Sequence, residues 1–444
     1  MIRMFRLTSD RSRRVGSADL VAVAINMVIR AATLSSRFLL VVVFARLLRP
    51  ADIGIYGLVV SAVALSIFFV GLEYYWFTMR VLPTQSRGAQ AVVLRDQLVL
   101  HGAAYAVMLP VLAVLFSPVL PASALGWFLA LVMFEHLSQE STRALIALGR
   151  PVQANVVLFI RTGAWAFPLL GLAAIDARFR VLPAVFTAWF IGVVASLAAA
   201  AWQMRDLDWR YARQRPVDWK GVREGLRVSA PYFVTTGSTM ALIYVDRFLI
   251  MAFQGLEAVG VYTFFAGMAT GLHQLVNTSV SLNRVPHLVR ALQGDDRVAF
   301  HRELWGGARV TIWATLVLAA VASAAIVPAL GFVGRSVYRD QAGIFFLLLA
   351  AACIRSFADV PMYALYASSH DSAVVFVNLA GGATSVLLNL LLVPRLSTQG
   401  AGIAAVISSA VLLVGGLVGV FLYSSASFGG SRALVDRLGA VGKL

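Results

Sequence analysis

The chain is a succession of apolar runs of roughly 20 to 28 residues separated by short polar connections, and each run can cross a hydrocarbon core about 30 Å thick as a helix. Span one runs from about Asp19 to Ala45 and span two from Ile53 to Thr78. Spans three and four fall near Val93 to Phe116 and Leu125 to Leu148, with a turn containing Pro118 and Pro121 between them. Spans five and six run near Val152 to Ile175 and Val181 to Met204. Span seven (Ser229 to Phe253) and span eight (Ala258 to Leu282) lead to a basic loop, Arg284 to Arg309. Spans nine to twelve fall near Val310 to Phe332, Ala342 to Tyr366, Ala373 to Val393 and Gly400 to Tyr423.

This pattern predicts an all-α polytopic membrane protein of about twelve transmembrane helices. The longest polar connection, Arg205 to Arg227, holds seven basic residues against Asp206, Asp208, Asp218 and Glu224, and it divides the chain. The expected organisation is an N-terminal tail over 1–18, a six-helix lobe over 19–204, a basic linker over 205–228, a second six-helix lobe over 229–424 and a tail over 425–444. An internal repeat supports the division. Ser36-Arg37-Phe38-Leu39-Leu40 resembles Asp246-Arg247-Phe248-Leu249-Ile250, and downstream Gly54-Ile55-Tyr56-Gly57 resembles Gly260-Val261-Tyr262-Thr263. A weaker echo links Ala144-Leu145-Ile146-Ala147 to Ala364-Leu365-Tyr366-Ala367. Six spans per half would relate the lobes by a pseudo-two-fold axis along the membrane normal, the parallel-repeat arrangement of alternating-access transporters. The competing explanation is chance similarity between apolar segments.

Composition agrees: 60% of the 444 residues are hydrophobic and only 13% charged, half the usual share of a soluble domain. The formal charge of +16 would suit nucleic acid, but the basic residues lie mostly in short connections. About 24 Lys and Arg fall on the side of the N-terminus, about 7 on the other and about 6 inside spans, so both termini and the mid-loop are expected in the cytoplasm. Cys353 is the single cysteine, which excludes an intrachain disulfide and leaves no metal cluster to argue for. The first apolar stretch is long, carries arginines and lacks a small-residue cleavage site, unlike a cleavable signal peptide.

Charges inside the spans carry the functional argument. Arg30 and Arg37 in span one are seven apart, on nearly one helix face, with Thr33 between them. A charge near the bilayer centre costs from roughly 2.5 to over 10 kcal/mol, so this stripe should look into protein or water and could line a path for an anion. Glu140 with Arg143, and Arg355 with Asp359, are three and four apart and within reach as intrahelical pairs. Arg30, Arg37 and Arg161 have no acid at helical spacing, although Glu73, Glu135 or Asp246 could meet them across the bundle. The first lobe is therefore expected to be the more cationic inside, and the second, where Asp246 precedes Arg247, the better supplied with titratable partners. Guanidinium stays charged when desolvated and offers a fork of donors to two oxygens, so a phosphate-bearing headgroup is the natural cargo. Snorkelling or structural pairing is the competing role. Glu135, Glu140, Asp246 and Asp359 could instead titrate or bind Na⁺ for coupling, or simply pair arginine. His136 and His273 stand as lone histidines among apolar residues and receive no ligand role. No Walker sequence and no acid-rich loop for group transfer appear, so an enzyme is the weaker class.

Phe69-Val70-Gly71-Leu72-Glu73-Tyr74-Tyr75 at the end of span two, Glu135-His136-Leu137-Ser138-Gln139-Glu140 with Arg143, and Val245-Asp246-Arg247-Phe248 followed by Gly260-Val261-Tyr262 carry a resemblance, as does Asn389-Leu390-Leu391-Leu392-Val393-Pro394 followed by Gly400-Ala401-Gly402. The chain resembles the O-antigen and polysaccharide flippases of the multidrug/oligosaccharidyl-lipid/polysaccharide exporter superfamily. The resemblance implies a two-lobed bundle that flips an undecaprenyl-diphosphate-linked oligosaccharide to the periplasmic leaflet of a bacterial inner membrane, by alternating access, driven by antiport of H⁺ or Na⁺, with no bound cofactor. It implies Arg30, Arg37, Arg161, Arg247 and Arg355 as the diphosphate-binding arginines, and membrane lipids, a polysaccharide polymerase and a chain-length regulator as partners. Twelve spans fit this branch better than the lipid II flippases, which have two more. Competing readings are a cation-coupled multidrug antiporter, which would want carboxylates in its cavity, a membrane glycosyltransferase or ligase, and a non-transporting envelope scaffold.

Overall fold

In the bilayer every backbone N–H and C=O must find a partner within the protein, and a helix supplies all of them locally. The computed structural model describes residues 29, 32–33, 35–36, 38–294 and 296–423, and among them the only regular structure is helix. Arg30 and Arg37 lie outside the described residues.

Helix α1 is described over Phe38–Leu47. It is followed by α2 (Pro50–Gly71), the short α3 (Tyr75–Val81), α4 (Arg87–Phe116), α5 (Ala122–Ala147), α6 (Pro151–Ile175) and α7 (Leu182–Gln203). A five-residue helix α8 (Trp209–Arg213) precedes a continuous helical stretch from Trp219 that turns at Gly255, giving α9 (219–254) and α10 (256–293). Then come α11 (Arg297–Val333), the short α12 (Ser336–Asp340), α13 (Gly343–Ala367), and a stretch that turns at Ser397 into α14 (371–396) and α15 (398–423). Leaving aside α3, α8 and α12, α2 to α15 are spans two to twelve of the apolar runs, and α1 covers the end of span one, most of which lies outside the described residues.

Helix ends follow local chemistry. Pro50, Pro151 and Pro183 open helices where a missing N–H costs nothing, and Gly334 closes α11 in the left-handed conformation that lets its N–H reach the Leu330 carbonyl. Gly255 turns the chain at φ +81°, ψ −179°, a region open only to glycine, whereas Ser397 does so with a side chain at φ +54°. Gly400 then passes so close to Leu392 that a Cβ would collide with the Leu392 carbonyl. Two of the prolines inside helices follow wider turns. Just before Pro168 and Pro286 the helix becomes π over Ile160–Ala164 and Asn277–Ser281, in or next to the turn whose carbonyl proline cannot satisfy.

The helices form two compact units, one of residues up to Val43 with Val59–Val234, the other of Phe44–Leu58 with Thr235 onward. In the first unit, the polar stretch after α7 is a packed strap. Arg95 on α4 donates to the carbonyls of Ala212, Arg215 and Pro216, Asp96 accepts the Asp218 N–H at 3.2 Å, and Arg150 pairs with Asp206 at 2.5 Å. That bond to Arg150 holds the Asp206 carboxyl below the usual carboxylate range. α9 therefore starts at Trp219, well ahead of the Ser229 expected, and the 284–309 connection is helical apart from the break between α10 and α11.

In the second unit, the two copies of the glycine motif meet each other. A Cβ on Gly54 would strike the Leu256 carbonyl and one on Gly260 the Pro50 carbonyl, while Gly57 faces Thr263. Each residue thus touches the counterpart of its own neighbour, or its own counterpart, as residues astride a two-fold axis do. Absence of side chains at 54 and 260 is what lets α2 and α10 cross backbone to backbone.

Candidate functional site

Side chains without apolar partners gather at two places, one in each unit. In the first unit, α6 widens into its π turn at Arg161, which is buried and approaches Glu135 of α5 at 3.5 Å. Trp189 of α7 donates its indole N–H to the same carboxylate at 2.6 Å. Arg161 thus meets its acid across the bundle. One turn further along α5, Glu140 accepts from Arg143 at 2.6 Å and from Gln97 of α4 at 2.6 Å, and Gln97 in turn accepts from Thr78 at 2.9 Å. The Arg143 guanidinium lies over the Tyr75 ring at 3.5 Å. The Glu140–Arg143 pair is the one that the three-residue spacing predicts.

His136 is fully buried in this cluster, with Nδ1 2.6 Å from the Tyr105 hydroxyl, Nε2 3.9 Å from Glu140 and its ring edge-to-face with His101 at 4.5 Å. Leu72 and Glu73 at φ +50° and +55° break the chain between α2 and α3 beside it, and the short α3 turns Tyr75 and Thr78 toward α5 and α4. Arg143 and Arg161 thus each face a carboxylate, and the cationic excess expected of the first lobe rests on Arg30 and Arg37, outside the described residues.

In the second unit, Asp246 and Arg247 on α9 pair with each other at 3.0 Å, and Asp246 also accepts from the Tyr262 hydroxyl of α10 at 2.6 Å. Arg247 stands between the rings of Tyr244 and Tyr262, at 5.9 and 5.7 Å, and donates back to the Ile243 carbonyl, so it is fully engaged. Deeper along the bundle, the π turn of α10 aims Asn277 at α13. Its amide donates to Asp359 at 2.5 Å and meets the Tyr363 hydroxyl at 3.0 Å. His273, one turn earlier, stands 3.1 Å from the same Asp359 oxygen.

Here the structure departs from the intrahelical pair that spacing allowed between Arg355 and Asp359. α10 captures the carboxylate, and Arg355 forms no ion pair among the described residues, with Tyr244 and Tyr363 as its neighbours besides Asp359. Spacing along one helix could not show this, because the winning donors come from another. The same holds for His273, whose carboxylate comes from another helix, whereas the Glu140 beside His136 lies four residues along the same helix. Among the described residues no three His, Cys, Asp or Glu side chains converge as a metal site. The arrangement offers buried charge, much of it in ion pairs, with Arg355 in none among the described residues and titratable groups next to it.

No family model matches this sequence, and no curated protein matches it significantly. Solved structures do. The chain is similar to the inward-facing conformation of a multidrug resistance MATE family transporter of the MOP superfamily, with 14% identity over 93% of this chain and 99% of that one and a TM-score of 0.70. An outward-facing structure of a MATE family transporter matches with 17% identity, 91% and 95% coverage and a TM-score of 0.58. A MOP superfamily transporter from Pyrococcus furiosus Vc1, described as having a binding pocket of reverse polarity that suggests a different function, matches with 14% identity, 93% and 95% coverage and a TM-score of 0.56. At these identities the likeness is one of fold: this is a multi-pass membrane protein with the twelve-helix fold of the MOP superfamily transporters.

Proposed function

We propose that the protein is a transporter of the polysaccharide branch of that superfamily, carrying a diphosphate-linked lipid oligosaccharide between the leaflets of a bacterial inner membrane by alternating access. The reading rests on Arg355, a guanidinium inside a membrane span that forms no ion pair among the described residues, its nearby carboxylate Asp359 being held instead by His273 and Asn277. An unmatched interior cation is costly, and an anionic headgroup is a ligand that repays it. Arg161 and Arg247 would add positive potential around such a path, each tempered by its acid, and Arg30 and Arg37 belong to the same reading. The Pyrococcus transporter with its reverse-polarity pocket supports the idea that interior charge, on a common fold, selects the cargo. A cationic drug would need an open carboxylate, and Glu135, Glu140, Asp246 and Asp359 each already accept hydrogen bonds from neighbouring side chains.

The test is translocation of a fluorescent undecaprenyl-diphosphate oligosaccharide by the purified protein in liposomes. Transfer to the opposite leaflet is expected, and Arg355→Gln should slow it at least about tenfold with insertion unchanged, the loss of one charge-assisted anion contact. An unchanged rate in that variant, or no transfer by the wild type, removes the reading.

A further inference from the structure

We infer that His273 is a proton-binding group that decides whether Arg355 is open to an anionic ligand. The inference rests on the reading of Arg355 as an anion site and adds to it a regulator and a sign.

Asp359 lies between two claimants. His273 and Asn277 from α10 both engage Oδ2, at 3.1 and 2.5 Å, and none of the hydrogen bonds among the described residues falls on Oδ1. Arg355, four residues earlier on the same helix face, is the other claimant. When His273 is protonated, its charge and the Asn277 amide hold the carboxylate on α10, and Arg355 stays unmatched. When His273 is neutral the charge attraction is gone, and the free oxygen can turn to Arg355 and close the site from within. Protonation also adds a positive charge beside the ligand. Both effects act in the same direction, so at this site a proton and an anion load together rather than compete, the opposite sign to the proton antiport that the resemblance implies.

The other ionisable groups around this point do not offer a rival switch. Tyr363 on α13 is held by Asn277, Tyr244 on α9 faces Arg355, and Arg284 of α10 pairs with Glu303 of α11 at 3.1 Å across a small cavity that Tyr363 also lines. Tyrosine and arginine keep one protonation state through the neutral range, whereas imidazole changes its charge there. The π turn contributes geometry. By widening α10 at Asn277, it brings that amide onto the oxygen that His273, one turn earlier, also reaches.

Binding of inorganic sulfate, a dianion whose own charge is constant across the range, to the full-length protein in nanodiscs tests this. Wild type should bind about tenfold more tightly at about pH 5.5 than at about pH 8, within the usual 5–150-fold of coupled sites. His273→Gln should bind with the weak, high-pH affinity at both, and Asp359→Asn, which has no carboxylate to offer Arg355, should bind more tightly than wild type at about pH 8 and keep only the smaller pH dependence that the charge on His273 itself supplies. Arg355→Gln should lose binding throughout. Sulfate binding that needs Arg355 but keeps its pH dependence in His273→Gln, or shows none in the wild type, overturns the inference alone. Binding indifferent to Arg355, or absent at both pH values, removes the anion site and the inference with it.

Discussion

Single residues show how much of this interior is set by partners on other helices. Glu140 and Arg143 could be paired from spacing because they share a helix, and they meet at 2.6 Å. Arg161 could be given only a set of candidate acids, and the fold selects Glu135, which Trp189 fixes from a third helix. His273 carried no signal, since its carboxylate, Asp359, comes from another helix, whereas the Glu140 beside His136 is a turn further along α5 and within reach of the same spacing argument. These pairs are costly to break singly. Replacing Glu135 by Gln keeps the acceptor for Trp189 but removes the negative charge facing Arg161, and should destabilise the protein by about 3–5 kcal/mol, read as a lowered midpoint in thermal or denaturant unfolding. Adding Arg161→Met should recover most of that loss. A double variant as unstable as the single one would show that the pair does not share its charge.

Helices were the legible level, and their ends were less so. Apolar run length located the eleven spans after the first, which lie within the described residues, because the bilayer imposes one length and one secondary structure on every crossing. What it could not show was that the polar stretch after α7 packs as a strap, since polarity alone does not distinguish a solvated loop from one whose carbonyls are held by Arg95. The repeated Gly-Ile-Tyr-Gly and Gly-Val-Tyr-Thr motifs were visible as a repeat, but not as residues that touch one another. Their contact leads to a paired expectation. Gly260→Val should prevent α2 from crossing α10, because the new side chain meets the Pro50 backbone, which cannot move aside as a flexible side chain would, and folded yield should collapse. Ser397→Gly, at a turn where φ is +54°, should instead raise stability by about 1 kcal/mol, since it removes a strained side-chain-bearing residue from a glycine conformation. Size-exclusion profile and unfolding midpoint separate the two outcomes.

For the molecule as a whole, orientation in the membrane follows from where the surface charge goes. In the strap after α7 three of the acids have local partners. Asp206 is held by Arg150, Asp208 caps α8 through the Tyr211 N–H, and Asp218 accepts from Gly221. Arg205, Arg210, Arg213, Arg215, Lys220, Arg223 and Arg227 are exposed beside the exposed acids Asp206, Asp208, Asp218 and Glu224, so the strap keeps at its surface the basic excess that the sequence count gives. That strap follows the sixth span, and an even number of crossings returns it to the side of the N-terminus. The turn between α6 and α7, where Asp176 is already paired with Arg178, follows the fifth and lies on the other side. Translocation of a loop with this basic excess is disfavoured, so the strap is expected in the cytoplasm. Cys353 can be exchanged for Ser to give a cysteine-free background, and single cysteines then placed at Arg213 and at Ala177. In intact cells a membrane-impermeant maleimide should label the second and spare the first until the membrane is opened. The reverse pattern would invert the protein, and with it the direction in which any anionic headgroup loads.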